Sequence, residues 1–235
     1  MEHAAGNVYD ETAATECLAG ARMFIPISLG NHYYSSEVLN ALLSHFIAGS
    51  RCSVIFLCDR LRFLSYRIRG ETDDARIVTN IRLQLDQMNR TLINLGLSSH
   101  SNVRVVDWSF LQDDSRYAGV LESLEELVRT DPWVQDQVDR YVAQFVGRFY
   151  TPQGPQRDES IQLQRRYLVE ETALSLYMTE VRGFNVEVYR RGMGFVDDLY
   201  SKRPVELMSM LKKSTLERKF VSIEHWLERA KAEIA

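Results

Sequence analysis

The sequence predicts an α/β protein with a Rossmann-like, doubly wound and mostly parallel sheet flanked by helices. Three short apolar runs that contain β-branched residues predict buried strands at positions 23–27, 52–57 and 103–106. Longer segments with apolar residues at helical spacing separate these runs. This alternation of strands and helices is typical of parallel sheets with right-handed crossovers.

The remaining elements follow from periodicity and from turn residues. Helices are predicted, in chain order, at residues 37–47, 74–95, 115–129, 133–150 and 161–181, with a charged helical tail from residue 204. A fourth strand is predicted at residues 184–189, where apolar and polar side chains alternate. TPQGPQRDES, residues 151–160, predicts a surface loop because Pro, Gly and charged residues interrupt the periodicity.

Length and composition favour one domain. With 235 residues and a formal net charge of −4, the chain is expected to fold as a single domain over residues 21–235. Residues 1–20 have no apolar core and carry scattered acids, which predicts a flexible arm rather than a signal peptide or a membrane span. The three cysteines form no C-x-x-C pair and are expected to be reduced. We therefore expect a cytoplasmic monomer that does not bind membranes.

A serine stands where the first predicted strand ends, in FIPISLGNHYYSS, residues 24–36. Gly30 follows Ser28 by two residues, and a helix cap follows at Ser35 or Ser36. A serine in this position is either a turn residue or a nucleophile, and the rest of the chain has to distinguish the two.

An acid interrupts the apolar stripe of the helix predicted at residues 161–181. The stripe comprises Leu163, Tyr167, Leu174, Met178 and Val181. Glu171 falls on this face, four residues after Tyr167, whereas Glu170 is expected to point into solvent. Burial raises the pKa of a carboxyl group toward neutrality, where it exchanges protons. Glu171 is therefore a candidate general base, and the alternative is a partly exposed acid at the edge of the stripe or one bonded to a nearby arginine.

An ordered set of residues resembles the cyclodipeptide synthase family. The set is Ile27-Ser28-Leu29-Gly30 after the first strand, Tyr167-Leu168-Val169-Glu170-Glu171 on the late helix, and Val188-Tyr189 on the following strand. Its order and spacing agree with the family's catalytic Ser, its Tyr-x-x-x-Glu pair and its second Tyr. The resemblance extends from residue 21 to about residue 200.

The resemblance implies a fold similar to the catalytic domain of class I tyrosyl- and tryptophanyl-tRNA synthetases, with aminoacyl-tRNAs as substrates. It implies neither ATP nor a cofactor, and the sequence has no H-I-G-H and no clear K-M-S-K-S motif. Ser28 is implied to attack the first ester and form an aminoacyl-enzyme. Tyr167 and Glu171 are implied to hold the α-amino group, with Glu171 as proton acceptor and Tyr189 as proton relay during cyclisation.

Residues around these groups are candidate substrate contacts. Backbone N–H groups near Gly30 and Asn31 are expected to stabilise oxyanions. Phe24 and Pro26, on the strand that ends at the serine, are expected to line a pocket for the first side chain. Glu187 shares a strand face with the second candidate tyrosine. It is expected either to approach that pocket and favour a polar or cationic side chain, or to meet solvent or an arginine.

Several arginines are candidates for contacts with tRNA, because phosphate binding requires cations. They are Arg165 and Arg166 before Tyr167, Arg190 and Arg191 after Tyr189, and Arg82 and Arg90 on the helix predicted at residues 74–95. Asp86 lies four residues from both helix arginines and is able to pair with either. Because the chain is acidic overall, we expect the binding of aminoacyl-tRNA to be weak and sensitive to salt.

Two other functions are compatible with the sequence. Pro26-x-Ser28-x-Gly30 approaches the G-x-S-x-G elbow of serine hydrolases, which requires a later acid and histidine such as Asp197 and His225. A non-catalytic α/β binding module would use the serine as a turn residue and the helix acid as a structural ion.

Two further expectations concern metals and subtype. No metal is expected, because His3, His32, His45, His100 and His225 lack ligand spacing. Within the synthase family, Asn31 fits the subtype that has Asn three positions after the serine, whereas Arg190 fits neither subtype.

Overall fold

The computed structural model describes residues 21–42, 46–47, 49–97, 100–146, 155–189, 193–202 and 219–223. The arm expected at residues 1–20 lies outside the described residues, as do Arg190, Arg191 and His225. None of the helices in this described part combines the length and the apolarity needed to cross a membrane.

Five parallel strands form one sheet in the described part of the chain. In chain order they are β1 (Arg22–Ile27), β2 (Cys52–Leu57), β3 (Val103–Val106), β4 (Val186–Tyr189) and β5 (Lys219–Ser222). The order across the sheet is β3-β2-β1-β4-β5, and each neighbouring pair is parallel. The chain therefore winds outward from β1 in one direction and then from β4 in the other. The predicted doubly wound α/β fold is confirmed.

Helices cover both faces of this sheet. They are α1 (Ser36–Leu42), α2 (Asp59–Ile68), α3 (Asp74–Asn94), α4 (Ser109–Gln112), α5 (Ser115–Thr130), α6 (Pro132–Val146), α7 (Pro155–Leu176) and α8 (Gly194–Lys202). A π-helical turn, Tyr177–Val181, continues α7. Covering both faces explains why the central strands consist almost entirely of apolar residues.

The core has two halves because successive residues of a strand point to opposite sides of the sheet. Phe24 of β1 contacts Phe56 of β2 edge to face on the side that holds α2 and α5 to α7. Met23 and Ile25 belong to the other half, which contains apolar residues of α1 and α3. The first half lies next to α7, the helix that carries the candidate acid.

α7 is surrounded by other helices and is not buried on one face only. It packs against α2, α5, α6 and α8. Its second half is buried on most sides, so that even Thr172 and Ser175 are 1% exposed. The apolar stripe expected from the sequence is therefore only part of its buried surface.

Several elements differ from the sequence predictions. α7 begins at Pro155 rather than at residue 161, so the predicted loop is wrong for residues 155–160. Proline is favoured at the first helical position because an amide hydrogen there would have no acceptor within the helix, so nothing is lost by its absence. Asp158 in the first turn complements the helix dipole. α2 has no counterpart among the predicted elements, and residues 219–222 form β5 instead of helix. The neighbouring strand β4 supplies the backbone partners that favour a strand there.

Candidate active site

The carboxyl ends of β1 and β4 bring the predicted site together. These strands are neighbours at the point where the strand order reverses, which is where open α/β sheets bind ligands. Ser28 is the first residue after β1, and Tyr189 is the last residue of β4. Tyr167 and Glu171 of α7 line the same cavity as these two residues. All four predicted catalytic side chains therefore meet in one place.

Hydrogen bonds link three of these side chains. Ser28 Oγ and Tyr189 Oη are 2.9 Å apart. Tyr189 Oη donates to Glu171 Oε1 over 3.5 Å, which is long for a hydrogen bond. Because the tyrosine hydroxyl donates to the carboxylate, the serine hydroxyl is left to donate to Tyr189. The arrangement provides a path for a proton between Ser28 and Glu171.

Glu171, the acid at the end of this series of hydrogen bonds, has a pKa near neutrality. Burial raises the pKa of Glu171 to about 7, and the negative charge of Glu187 adds to this effect. The hydrogen bond from Tyr189 acts in the opposite direction. Burial, followed by the charge of Glu171, holds the pKa of both Tyr167 and Tyr189 well above the usual phenol value. At neutral pH the phenols therefore stay protonated, while Glu171 exchanges protons.

The cavity has a volume of about 810 Å³. Its walls come from the loop after β1, the inner face of α2, the end of α6, the acid-bearing part of α7 and the start of α8. Cavities of several hundred Å³ are typical of small-molecule sites. The wall combines apolar side chains with the hydroxyl, phenol and carboxyl groups of the predicted site.

The loop after β1 turns sharply at Gly30, where φ is +65°. A Cβ atom at this position would lie 2.7 Å from a guanidinium nitrogen of Arg62 and 2.8 Å from Gln84 Oε1. The amide of Asn31 donates to the Ser28 carbonyl over 3.3 Å, and its side-chain oxygen accepts a second amide of the loop. Since the Asn31 amide belongs to the turn, Gly30 remains the candidate oxyanion donor of the two.

Phe24, Pro26 and Glu187 lie behind Ser28 and Tyr189 rather than in the cavity wall. They share strand faces with these two residues, because they precede them by even numbers of residues. Phe24 and Pro26 are buried in the core. Glu187 is fully buried and accepts a hydrogen bond from Ser175 Oγ over 2.7 Å. The expectation that Glu187 meets solvent is wrong.

Glu170 is buried, although the sequence pattern places it in solvent. Arg60 donates two hydrogen bonds to its carboxylate, over 2.5 and 2.8 Å, and Arg166 donates one over 2.8 Å. The physical reason is that α2 packs against this side of α7, which the single-helix pattern does not reveal. Arg166, a predicted tRNA contact, is thus held by an ion pair within the protein.

The other candidate arginines differ in their surroundings. Arg165 pairs with Asp139 of α6. Arg82 and Arg90 are exposed on α3 and form no ion pair within the described residues, so the possible pairing with Asp86 is not seen. Contacts of these arginines with tRNA stay predictions.

Sequence reasoning missed a row of cavity residues on and beside α2. These residues are Cys58, Leu61, Arg62, Ser65 and Arg69. Their three- and four-residue spacing is the signal that would have identified both the helix and the face that it turns to the site.

The serine has a different setting from that of a hydrolase triad. Among the described residues its hydroxyl is bonded to a tyrosine, and His32 lines the cavity without a hydrogen bond to Ser28. Asp197 lies on α8. No group of three or more His, Cys, Asp or Glu side chains is placed to hold a metal in the described ranges. Cys52 and Cys58 are free thiols, as predicted.

Comparison with known proteins gives a consistent result. The sequence profile of the cyclodipeptide synthase family matches residues 9–211. No curated protein sequence matches the chain. A cyclodipeptide synthase structure from Fluoribacter dumoffii is similar with a TM-score of 0.71 at 14% identity, over 91% of this chain and 94% of that one.

Two further structures place the fold in a wider group. The cyclodipeptide synthase from Candidatus Glomeribacter gigasporarum bound to Phe-tRNAPhe is similar with a TM-score of 0.56 at 13% identity, over 91% of this chain and 92% of that one. A tyrosyl-tRNA synthetase from Archaeoglobus fulgidus is similar with a TM-score of 0.51 at 15% identity, over 87% of this chain and 54% of that one. The predicted likeness to class I synthetases is confirmed. The profile match spans most of the chain, which therefore belongs to the cyclodipeptide synthase family of aminoacyl-tRNA-dependent transferases.

Proposed function

We propose that this protein joins two aminoacyl groups into a 2,5-diketopiperazine by ping-pong acyl transfer, with Ser28 as the covalent carrier. The observation that carries the proposal is the hydrogen-bonded chain from Ser28 through Tyr189 to Glu171, at the wall of one large cavity. A serine ester, a relay and a base with a pKa of about 7 are what stepwise acyl transfer requires.

In the first half-reaction, Ser28 Oγ attacks the ester carbonyl of an aminoacyl-tRNA. The serine proton passes to Tyr189 as the phenol passes its own proton toward Glu171. A bond forms between Oγ and the carbonyl carbon, and the bond to the terminal ribose oxygen breaks. The free tRNA then takes up the proton as its hydroxyl group. The amide of Gly30 is our candidate donor to the oxyanion.

In the second half-reaction, the α-amino group of the seryl ester attacks the ester of a second aminoacyl-tRNA. Tyr167 and Glu171 hold this amine, and Glu171 takes its proton. The leaving ribose oxygen takes up that proton, so the products are a dipeptidyl ester on Ser28 and a second free tRNA. The new terminal amine then attacks the seryl ester, which closes the six-membered ring. The amine gives up a proton to Glu171, and Tyr189 returns a proton to Ser28 Oγ as it leaves.

We assign the binding of the first side chain to the part of the cavity next to Ser28 and Tyr189. Phe24, Pro26 and Glu187 pack behind these two residues and act on that pocket from the core rather than as part of its wall. We infer that Glu187 favours a polar or cationic side chain at this position. The exposed Arg82 and Arg90 on α3 are our candidates for contacts with the body of the tRNA. The same overall fold in the structure bound to Phe-tRNAPhe supports an aminoacyl-tRNA as the ligand.

Intact-protein mass spectrometry tests the covalent step. The protein is mixed with one aminoacyl-tRNA species at a time, and the mass of the expected acyl group should appear on the wild-type chain but not on Ser28→Ala. Glu171→Gln should become acylated more slowly, because its amide takes no proton from Tyr189, and should release little cyclic product. The product itself is identified from the medium of cells that express the chain.

Formation of a cyclic dipeptide by Ser28→Ala at the wild-type rate would refute the covalent mechanism. Hydrolysis of simple esters, without any product from aminoacyl-tRNA, would instead favour the serine hydrolase.

A further inference from the structure

We propose that Arg62 and Arg69, on the cavity side of α2, bind phosphodiester groups of the single-stranded 3′ end of the incoming aminoacyl-tRNA. The inference rests on the proposed function for the identity of the ligand. It adds a phosphate site inside the catalytic cavity to the surface arginines that the sequence suggests.

Arg62 is held in a defined position by neutral groups. Its Nε donates to Gln84 Oε1 over 3.1 Å, and one terminal nitrogen lies 3.4 Å from Tyr66 Oη. The guanidinium group stacks on the Tyr66 ring with its carbon 4.5 Å from the centroid. Gln84 also donates to Tyr66 Oη over 2.9 Å, which closes a small network. The guanidinium is thus fixed against Gly30 before any ligand arrives.

Arg69 stands two helical turns further along the same face. It is the C-cap residue of α2, directly after Ile68, and its exposed side chain lines the cavity. A separation of seven residues corresponds to roughly 10 Å along a helix. This spacing along the helix suits the two cations to different phosphates of one strand.

The charge of this pair is not neutralised within the protein. Arginines elsewhere, such as Arg60, Arg140 and Arg165, form ion pairs with carboxylates. Neither Arg62 nor Arg69 does so within the described residues. Among the described residues of the cavity wall, the one carboxyl group belongs to the catalytic acid of α7. This end of the cavity is therefore positive.

The chemistry of the substrate identifies the anion. In an aminoacyl ester the carboxyl group is already esterified, so it carries no negative charge. The nearest negative groups are the phosphodiesters that precede the terminal ribose. Arginine is suited to them because its planar donors match phosphate oxygens. The α-ammonium group, in contrast, is attracted to Glu171 and repelled by the arginines, so the two charged ends orient the substrate.

A small apolar pocket next to Arg69 fits this assignment. It has a volume of about 110 Å³ and is shared by Arg69, Phe145, Tyr167 and Leu168. Phe145 is 40% exposed. Bases of single-stranded RNA stack on aromatic rings next to cations that hold the backbone. The surroundings therefore suit a nucleotide better than a simple inorganic anion.

The test compares two substrates that differ in their phosphates. One is an aminoacylated RNA minihelix with a single-stranded 3′ end, and the other is 2′(3′)-O-aminoacyl-adenosine, which has no phosphate. In Arg62→Gln and Arg69→Gln, the ratio of kcat/KM for the minihelix to kcat/KM for the nucleoside should fall about tenfold. The log–log slope of minihelix binding against salt should flatten by about 0.7 for each lost contact.

Matched variants separate binding from structure. Arg51→Gln removes an exposed arginine at the opposite, amino-terminal edge of the sheet and should leave both the ratio and the salt slope unchanged. Arg62→Lys keeps the charge and should keep most of the slope. Equal losses with both substrates, or an unchanged salt slope, would overturn the proposal.

The two proposals fail in different ways. Filter binding of the minihelix without its aminoacyl group measures binding at the arginine site in the absence of any acyl transfer. If Ser28 is never acylated but the arginine variants still lose minihelix binding, the covalent mechanism is wrong and the phosphate site is right. If Ser28 is acylated normally and the variants bind as tightly as the wild type, the phosphate site is wrong.

Discussion

Gly30 is under two separate constraints at the residue scale. Its φ of +65° is unfavourable for any residue with a Cβ atom, by about 1–2 kcal/mol. In addition, a Cβ atom would come within 2.7 Å of the Arg62 guanidinium. We expect Gly30→Ala to lower kcat/KM for cyclic product at least several-fold, because both Ser28 and Arg62 must shift.

Gly70 provides the control for this substitution. Its φ is +87°, but a Cβ atom there would meet nothing within 4 Å, so Gly70→Ala carries the backbone strain alone. Gly70→Ala should lose some stability in thermal unfolding and keep its activity. Equal activity losses in both variants would mean that backbone strain, not contact with Arg62, explains the Gly30 effect.

Glu171 should determine the acid side of the pH profile. The base must be ionised to accept a proton, so product formation should rise with pH through the pKa of about 7. Glu187 raises this pKa by its charge, and Glu187→Gln should therefore move the rise to lower pH. The measurement is kcat/KM between about pH 5.5 and 9 at saturating second substrate. A rise that stays in place in Glu187→Gln would contradict the electrostatic coupling.

The family resemblance predicts which four side chains share the site, and the fold explains why: Ser28 follows a buried strand, Tyr189 ends another, and Glu171 follows Tyr167 by one helical turn. The burial of Glu170 is not predictable in the same way. Its environment depends on α2, a helix distant in sequence, and a pattern within one helix carries no information about that neighbour.

At the element scale, Glu170 joins α2 to α7. Its side chain is 3% exposed, whereas Arg60 and Arg166 remain 41% and 54% exposed. We expect Glu170→Gln to destabilise the fold by about 1–2 kcal/mol, because three hydrogen bonds to a carboxylate are weakened while the arginines retain access to water. Urea unfolding followed by circular dichroism measures the change.

The comparison for this prediction is Glu126→Gln, which breaks an exposed ion pair with Arg129 within α5. That variant should change the free energy of unfolding by less than about 0.5 kcal/mol. If the two substitutions have the same small effect, the Glu170 contacts do not stabilise the packing of α2 on α7.

α2 shows where element prediction from sequence stops. The strands β1, β2 and β3 lie at nearly the predicted residues, because buried parallel strands consist of continuous apolar runs. α2 has apolar residues at helical spacing too, such as Leu61 and Leu64, and its periodicity is as regular as that of α3. What a single-helix pattern does not show is that the polar face of α2 is turned partly to the cavity rather than to solvent.

At the scale of the whole molecule, the strand order determines where the site forms. The order β3-β2-β1-β4-β5 makes β1 and β4 neighbours, although 158 residues separate the end of one from the start of the other (Ile27 to Val186, with 186 − 27 − 1 = 158). Sequence periodicity predicts a doubly wound sheet but does not specify which strands are neighbours. That depends on packing between distant segments, which is also why the sequence predicts the walls of the cavity only in part.

The fold as a whole should be less stable at high pH because of the buried acid Glu171. The pKa of Glu171 is about 7 in the folded protein against 4.5 for an ordinary glutamate, so the folded state binds more protons between these values. Stability therefore falls as pH rises from 4.5 to about 7, and the penalty is complete above that range. Glu171→Gln has no such penalty. Its free energy of unfolding, relative to that of the wild type, should therefore increase by on the order of 1–3 kcal/mol between about pH 5 and pH 8. Urea unfolding at both pH values measures this difference, with Glu126→Gln as the exposed control. A difference between wild type and Glu171→Gln that does not change with pH would show that the acid is not held in a destabilising environment.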